Sequence, residues 1–259
     1  MIKVLTKNVW VSFSEKLGTS IIHPQFLLTR YQKEAIEEAK KYAKGNLVDI
    51  GCGRMPYRKV FLPLVDSYIG VDHPEVSSLY SSNTKPDVLA DAKELPFPKN
   101  TFDIALMLQV LEHVDAPDKV IKEAGRVLKP NGILIITVPF FYPLHDMPHD
   151  WGRYTSTALK SYAKEASLRV IKIKANGGFF DFWLQSLNTF LVKRINDMLS
   201  KNLSFQSVLV IPVAAISVPI ILVNNLFILI LGSLLKVFPK YPNYFPLDYL
   251  VVAKKTSKA

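Results

Sequence analysis

Short apolar runs alternate with longer stretches in which apolar residues recur every three or four positions. The runs are Leu47–Ile50, Tyr68–Asp72, Asp87–Ala90, Thr101–Leu108, Gly132–Pro139, Leu168–Lys174 and Asp248–Lys254, and each reads as a buried strand. The helical stretches are Leu27–Lys44, Pro117–Leu128 and Ser156–Glu165. The first carries Lys33, Glu34, Glu37, Glu38, Lys40 and Lys41 on one side and stops at Gly45-Asn46. The second has Val120, Ile121, Ala124, Val127 and Leu128 on one face and closes at Lys129-Pro130-Asn131-Gly132. Strands alternating with helices at this spacing predict an α/β fold with a parallel, doubly wound sheet.

The alternation breaks between the sixth and seventh strands, where roughly seventy residues intervene, and loops of that length are functional or separately structured. Phe180, Trp183, Leu184, Leu187, Leu191 and Ile195 fall on one helical face, followed by the basic Lys193, Arg194 and Lys201. Asn202–Leu235 then runs for 34 residues without a charge. Two spans and a turn would need over about 40 residues, and a single span would strand the seventh strand across the bilayer from its sheet. The remaining expectation is a re-entrant or interfacial helical hairpin bending at Pro212, Pro219 or Asn224-Asn225, with basic flanks (Lys236 and Lys240 on the far side) held against anionic headgroups. The competing expectation is a hydrophobic cap or dimer interface. Met1–Ser20 has lysines at 3, 7 and 16 interrupting its apolar positions, which argues against a secretory signal and leaves open an amphipathic helix lying on the domain or on a membrane. The expected layout is therefore an N-terminal segment 1–26, a sheet domain of 27–175 plus 246–259, and a helical apolar insertion of 176–245.

Composition adds two constraints. Hydrophobic residues make up 49% of 259 and the mean hydropathy is +0.17, an excess that the insertion accounts for. Lysine and arginine number 32 against 22 acidic residues, a formal charge of +10 that suits an anionic partner. No basic stripe with interleaved aromatics accompanies that charge, so a nucleic-acid partner is not expected. One cysteine, Cys52, excludes an internal disulfide.

The densest chemistry lies at the strand ends. Leu47-Val48-Asp49-Ile50 breaks at Gly51-Cys52-Gly53, where a tight turn lets a ligand approach the backbone. Asp72 ends the second strand 19 residues beyond Gly53, the spacing required of a carboxylate that accepts from ribose hydroxyls. Asp91 ends the third and is placed to accept from a purine amine. The dinucleotide fingerprint would want glycine at 56, which is Pro56, and this counts against a nicotinamide cofactor.

Val-Asp-Ile-Gly-Cys-Gly (48–53), Gly-Val-Asp (70–72), Asp-Ala-Lys-Glu-Leu-Pro-Phe (91–97), Phe-Asp (102–103), Gln-Val-Leu-Glu-His-Val (109–114) and Arg-Val-Leu-Lys-Pro-Asn-Gly (126–132) together resemble the class I S-adenosylmethionine (SAM)-dependent methyltransferases of the type 11-like kind. The resemblance implies a Rossmann-like seven-stranded sheet with its last strand antiparallel, and S-adenosyl-L-methionine as cofactor. It also implies that Asp49, Gly51, Cys52 and Gly53 line the methionine moiety, that Asp72 with the adjoining His73 holds the ribose, that Asp91 and Ala92 hold the adenine, and that Gln109 closes the site. The sequence departs from the family pattern at the third small position of the glycine motif, which is Met55.

The fifth strand runs into a loop, Phe140–Thr155, dense in aromatic and titratable groups. Transfer from a sulfonium needs alignment of the acceptor and exclusion of water. For a hydroxyl acceptor a base helps, and His145 or His149 is expected in that role, with Asp150 orienting the imidazole and Arg153 holding an acidic group of the acceptor. In the alternative, Asp150 and Arg153 pin the loop. His145, Asp146, His149 and Asp150 have ligand-like spacing without a supporting cysteine or histidine cluster, so no metal is expected, and His113 reads as structural. The combined expectation is a methyltransferase at the cytoplasmic face of a membrane, acting on a lipid-linked or amphiphilic acceptor. The alternatives are a soluble small-molecule methyltransferase with the insertion as lid or dimer contact, or a non-catalytic SAM-fold partner protein.

Overall fold

The computed structural model describes residues 18–75, 85–200, 210–234 and 244–257, so the expectation for residues 1–17 lies outside them. The chain divides into two compact units, Glu34–Asn176 with Asp248–Ala259, and Met1–Lys33 with Gly177–Leu247.

The first unit is built on seven strands: β1 (Asn46–Ile50), β2 (Ser67–Asp72), β3 (Val88–Leu89), β4 (Phe102–Leu108), β5 (Leu128–Pro139), β6 (Leu168–Asn176) and β7 (Asp248–Lys255). Their order is β3-β2-β1-β4-β5-β7-β6, with β7 antiparallel to both its neighbours and the other described pairs parallel. The period-2 rule of a strand explains why the apolar runs are continuous: neighbouring residues feed opposite faces and both faces are covered. Val48, Ala105, Leu134 and Val251 join one core with Val120 and Ile121 of α3 (Pro117–Val127) and Leu159 of α4 (Ser156–Glu165). Leu47, Ile104, Ile135 and Val252 join the other with Ala35, Ile36 and Ala39 of α1 (Phe26–Lys40) and Phe61 of the short α2 (Arg58–Phe61).

Proline at the first helical position opens α3, where its missing N–H costs no hydrogen bond, and the Thr155 hydroxyl caps α4 by accepting from the Ala158 N–H at 3.2 Å. Asn176 and Asp248 face each other in the β6–β7 register, and the Asn176 amide donates to Asp248 Oδ1 at 2.6 Å. Residues 177–247 therefore leave and re-enter the sheet at one point.

The second unit contains α5 (Phe179–Ser200) and α6 (Val210–Leu234). None of Pro212, Pro219 and Asn224-Asn225, expected as the turn of a hairpin, ends the helix: α6 runs through all three. Pro212 sits in the first turn, where N–H groups have no intrahelical partner in any case. Pro219 removes one interior hydrogen bond without ending the helix. Asn224 and Asn225 are consumed by packing against α5. Asn188 donates to Asn225 Oδ1 at 2.6 Å, and Asn224 donates to Asn188 Oδ1 at 2.8 Å and to the Leu184 carbonyl at 2.6 Å. Asn225 in turn donates to the Ile21 and His23 carbonyls at 2.6 and 3.2 Å.

Candidate functional site

Parallel registry places the tips of β1, β2 and β3 side by side. Asp49 and Ile50 lie opposite Gly70 and Val71, and Val71 and Asp72 lie opposite Val88 and Leu89. Beyond β1 the chain folds over the end of β2, with the Gly51 and Cys52 N–H groups both donating to the Val71 carbonyl at 2.8 and 3.0 Å. Gly51 and Gly53 adopt φ of 71° and 55°, the left-handed region where a side chain is strained. A Cβ on Gly51 would also lie 2.5 Å from a Val110 methyl, so the turn after β4 closes directly against the glycine turn.

Asp72 organises this edge. One carboxylate oxygen accepts from the Gly53 N–H and the other from the His73 N–H, each at 2.7 Å. A carboxylate has about four acceptor positions, so each oxygen keeps capacity for a further donor. Burial pushes the Asp72 carboxyl upward, opposed by those two N–H groups. Asp91 accepts from the Lys93 N–H at 2.8 Å and remains half-exposed, with Ala92 beside it. Gln109 directly follows β4 at a φ of 58° and donates its N–H to the Thr137 carbonyl at 2.9 Å. Glycine turn, paired carboxylate oxygens and a second acid on the next strand fit the adenosyl part of SAM.

Two members of the turn lie beneath it. Cys52 is buried, and Asp49 is 2% exposed with its carboxylate accepting from the Tyr68 hydroxyl. Asp49, expected to line the methionine, is thus shut off from solvent by its partner on β2. Met55, in place of the family's small residue, takes a φ of 52° and packs with Cys52 over Gly70, where a Cβ would meet the two sulfurs at 2.8 and 2.9 Å. The departure at 55 is accommodated by glycine at 70.

Burial pushes the Asp49 carboxyl up to about 7. The folded chain then keeps a proton that the unfolded chain releases near pH 4, so this group's contribution to stability is present below about pH 4 and is lost as pH rises towards 7. Asp49→Asn keeps an acceptor for the Tyr68 hydroxyl and cannot ionise. We expect it to flatten that slope by up to about 1.4 kcal/mol per pH unit in urea unfolding across the interval, and an unaltered slope would refute the assignment.

The loop after β5 is tied to the turn after β4. The Trp151 and Gly152 N–H groups donate to the Glu112 carbonyl at 2.7 and 3.3 Å, the Tyr154 hydroxyl donates to the Leu111 carbonyl at 2.9 Å, and His113 Nδ1 bonds to the His149 carbonyl at 2.8 Å. Asp150, its side chain fully buried, accepts from Arg153 at 2.6 and 3.0 Å and from the His145 N–H at 2.9 Å. Arg153 also donates to the carbonyls of Tyr142 and Gly152. All its nitrogens are engaged within the loop, the arrangement of a loop pin. His145 stands beside Asp150, with Nδ1 3.4 Å from Oδ2, whereas His149 is exposed and joins the network through its backbone. Burial lowers the His145 pKa, so this imidazole is neutral at physiological pH.

Sequence reasoning passed over Glu112. It is 1% exposed, neither carboxylate oxygen has a hydrogen-bond partner, and burial pushes its carboxyl up to about 8. Glu112, His113 and His145 each bring one ligand-type atom to within 4.8 Å of the others.

Comparison with known proteins agrees with this geometry. A family described as methyltransferase domain matches residues 48–136. The ubiquinone biosynthesis O-methyltransferase of Pelagibacter ubique is 29% identical over 150 residues, covering 49% of this chain and 62% of that protein. The tRNA (carboxymethyluridine(34)-5-O)-methyltransferase of Schizosaccharomyces pombe is 33% identical over 112 residues, covering 42% and 48% respectively. The chain therefore spans about half the length of the curated relatives it matches. In fold it resembles a SAM-dependent methyltransferase from Archaeoglobus fulgidus, with a TM-score of 0.55 at 18% identity over 95% of this chain and 99% of that one. The strand order, the three adjoining tips and the matched residues converge on one assignment: residues 48–136 carry a methyltransferase domain of the class I SAM-dependent kind, whose methyl donor is S-adenosyl-L-methionine.

Proposed function

We propose that this chain transfers the methyl group of SAM to a lipid-linked or amphiphilic acceptor at the cytoplasmic face of a membrane. Family membership and the cofactor edge support the transfer. The donor sulfonium is already activated, so the protein's task is to align the acceptor and exclude water. The 140–155 loop leaves from the same sheet edge as the glycine turn, where ligands of open α/β sheets lie. In this reading His145, neutral and beside Asp150, takes the acceptor proton, which its lowered pKa supports.

The observation that carries the lipid-facing part is an inverted helix. On α6 the polar Ser217, Asn224 and Asn225 are buried, while Ile216, Val223 and Phe227 are 64%, 54% and 52% exposed. Water would favour the opposite arrangement, whereas hydrocarbon favours apolar side chains outward and amide hydrogen bonds inward. Pro212–Leu231 is 20 residues long and apolar enough to enter a bilayer, and only 28% of its strongest window is buried. On α5, Phe179, Trp183 and Phe190 add exposed aromatics. Because residues 177–247 return to their starting point at Asn176 and Asp248, the reading is of a segment that enters and leaves by one face.

The test is flotation of the full chain with vesicles containing anionic lipid. Wild type is expected to float and the double substitution Val223→Glu with Phe227→Glu to lose most of that flotation, since each charge costs about 2.5 kcal/mol or more in hydrocarbon. Equal flotation of both, or none for wild type, contradicts the lipid reading.

A further inference from the structure

We propose that Glu112, His113 and His145 form a binding site for a divalent first-row transition cation, with coordination positions left open to a ligand oxygen. Two independent features point to an ion. The first is the carboxylate of Glu112, closed off from solvent yet without any hydrogen-bond donor on either oxygen. A buried carboxyl whose two oxygens lack partners is costly even when neutral, and a cation coordinated by its ionised form satisfies both oxygens. His113 Nε2 lies 3.8 Å from Glu112 Oε1, a separation spanned when both ligate one metal at about 2 Å each.

The second feature is how the imidazoles are held. His113 Nδ1 bonds to the His149 carbonyl at 2.8 Å, and His145 Nδ1 to the Pro143 carbonyl at 3.2 Å beside Asp150. A carbonyl only accepts, so each Nδ1 carries the proton and each Nε2 presents a bare lone pair. Metal-binding histidines are oriented in this way, one nitrogen donating to a carbonyl or carboxylate and the other ligating. The rings lie 4.8 Å apart edge to face, with Tyr142 packed on His145 at 5.0 Å.

Backbone bonds from Trp151 and Gly152 to the Glu112 carbonyl hold the two contributing segments together without the ion, so the donors are positioned in advance. Two imidazoles and one carboxylate suit Zn2+ or its transition-metal neighbours better than Mg2+, and three protein ligands leave a fourth position free. The ligand set lies on the turn after β4 and the loop after β5, apart from the residues that hold the nucleoside. In the ion-bound chain His145 Nε2 is a ligand and not the proton acceptor, and the cation would instead acidify an acceptor oxygen bound to it; the site goes beyond the proposed function and does not require the acceptor to be a lipid.

Calorimetric titration of the full chain with Zn2+ tests the site. One equivalent per chain is expected, weakened at least about 10²-fold in both Glu112→Gln and His145→Ala, with His149→Ala binding as wild type. Glu112→Gln keeps the shape of the buried side chain, and His145→Ala alters a partly exposed loop position, so loss through misfolding in one variant is checked by the other. No saturable binding by wild type, wild-type affinity in either Glu112→Gln or His145→Ala, or loss in His149→Ala overturns the assignment; the last would put the ion on the loop's own His145-Asp146-His149-Asp150 run. Titration of the same wild-type sample with SAM reads the cofactor edge separately, so failure of either site is recognised independently.

Discussion

Replacing Asp72 with alanine is expected to weaken SAM binding by about 10² to 10⁴-fold in calorimetric titration. Hydrogen bonds from donors to a charged group contribute about 1.5–3 kcal/mol each, and two ribose hydroxyls would be lost together. The same carboxylate also holds the Gly53 and His73 N–H groups at 2.7 Å, so its removal loosens the glycine turn as well. Asparagine should rescue little. Each carboxylate oxygen accepts a backbone N–H, so an amide must turn its NH2 towards one of those donors. Affinity within about threefold of wild type in a folded Asp72→Ala protein would remove the nucleoside from this edge.

Arg153→Ala should release the loop that covers the strand edge. It leaves the buried Asp150 carboxylate without its counterion, a change that costs about 3 kcal/mol and raises local opening about 10²-fold. Hydrogen exchange of the backbone amides of residues 145–154 reads this directly. The pH dependence has a defined sign. Arg153 holds the Asp150 carboxyl well below the usual carboxylate range, assisted by the His145 N–H. Protection from this pair is therefore complete above about pH 4, where the free carboxyl ionises, and declines as pH falls further towards the folded value. In Arg153→Ala that decline should vanish. An acid-sensitive loop in the variant, or unaltered exchange at neutral pH, would show that the pair does not hold it.

The strands were legible because a sheet covered on both faces writes itself as unbroken apolar runs, and the tips were legible because glycine and aspartate end those runs at fixed spacing. What escaped depends on partners distant in sequence. The burial of Asp49 and its bond from the Tyr68 hydroxyl on the adjoining strand are set by pairing across the sheet. Between holding an acceptor and pinning the loop, the sequence leaves Arg153 open, because its bonds to Tyr142 and Asp150 depend on how the loop folds.

Pro219 and the asparagine pair read as breakers, yet an apolar helix tolerates one missing bond and Asn188 of α5 satisfies both asparagines. Glu112 was passed over because burial is not written in composition. A glutamate-histidine pair just beyond a strand end, facing a histidine-bearing loop, was the available signal.

Incubating the full chain with SAM labelled in the methyl group and a membrane lipid extract, then counting the organic phase, addresses the whole account. Label should enter that phase with wild type and fall to background with Asp72→Ala. Protein that binds SAM and leaves every count in the aqueous phase, with no labelled product, would contradict methyl transfer to an amphiphilic acceptor.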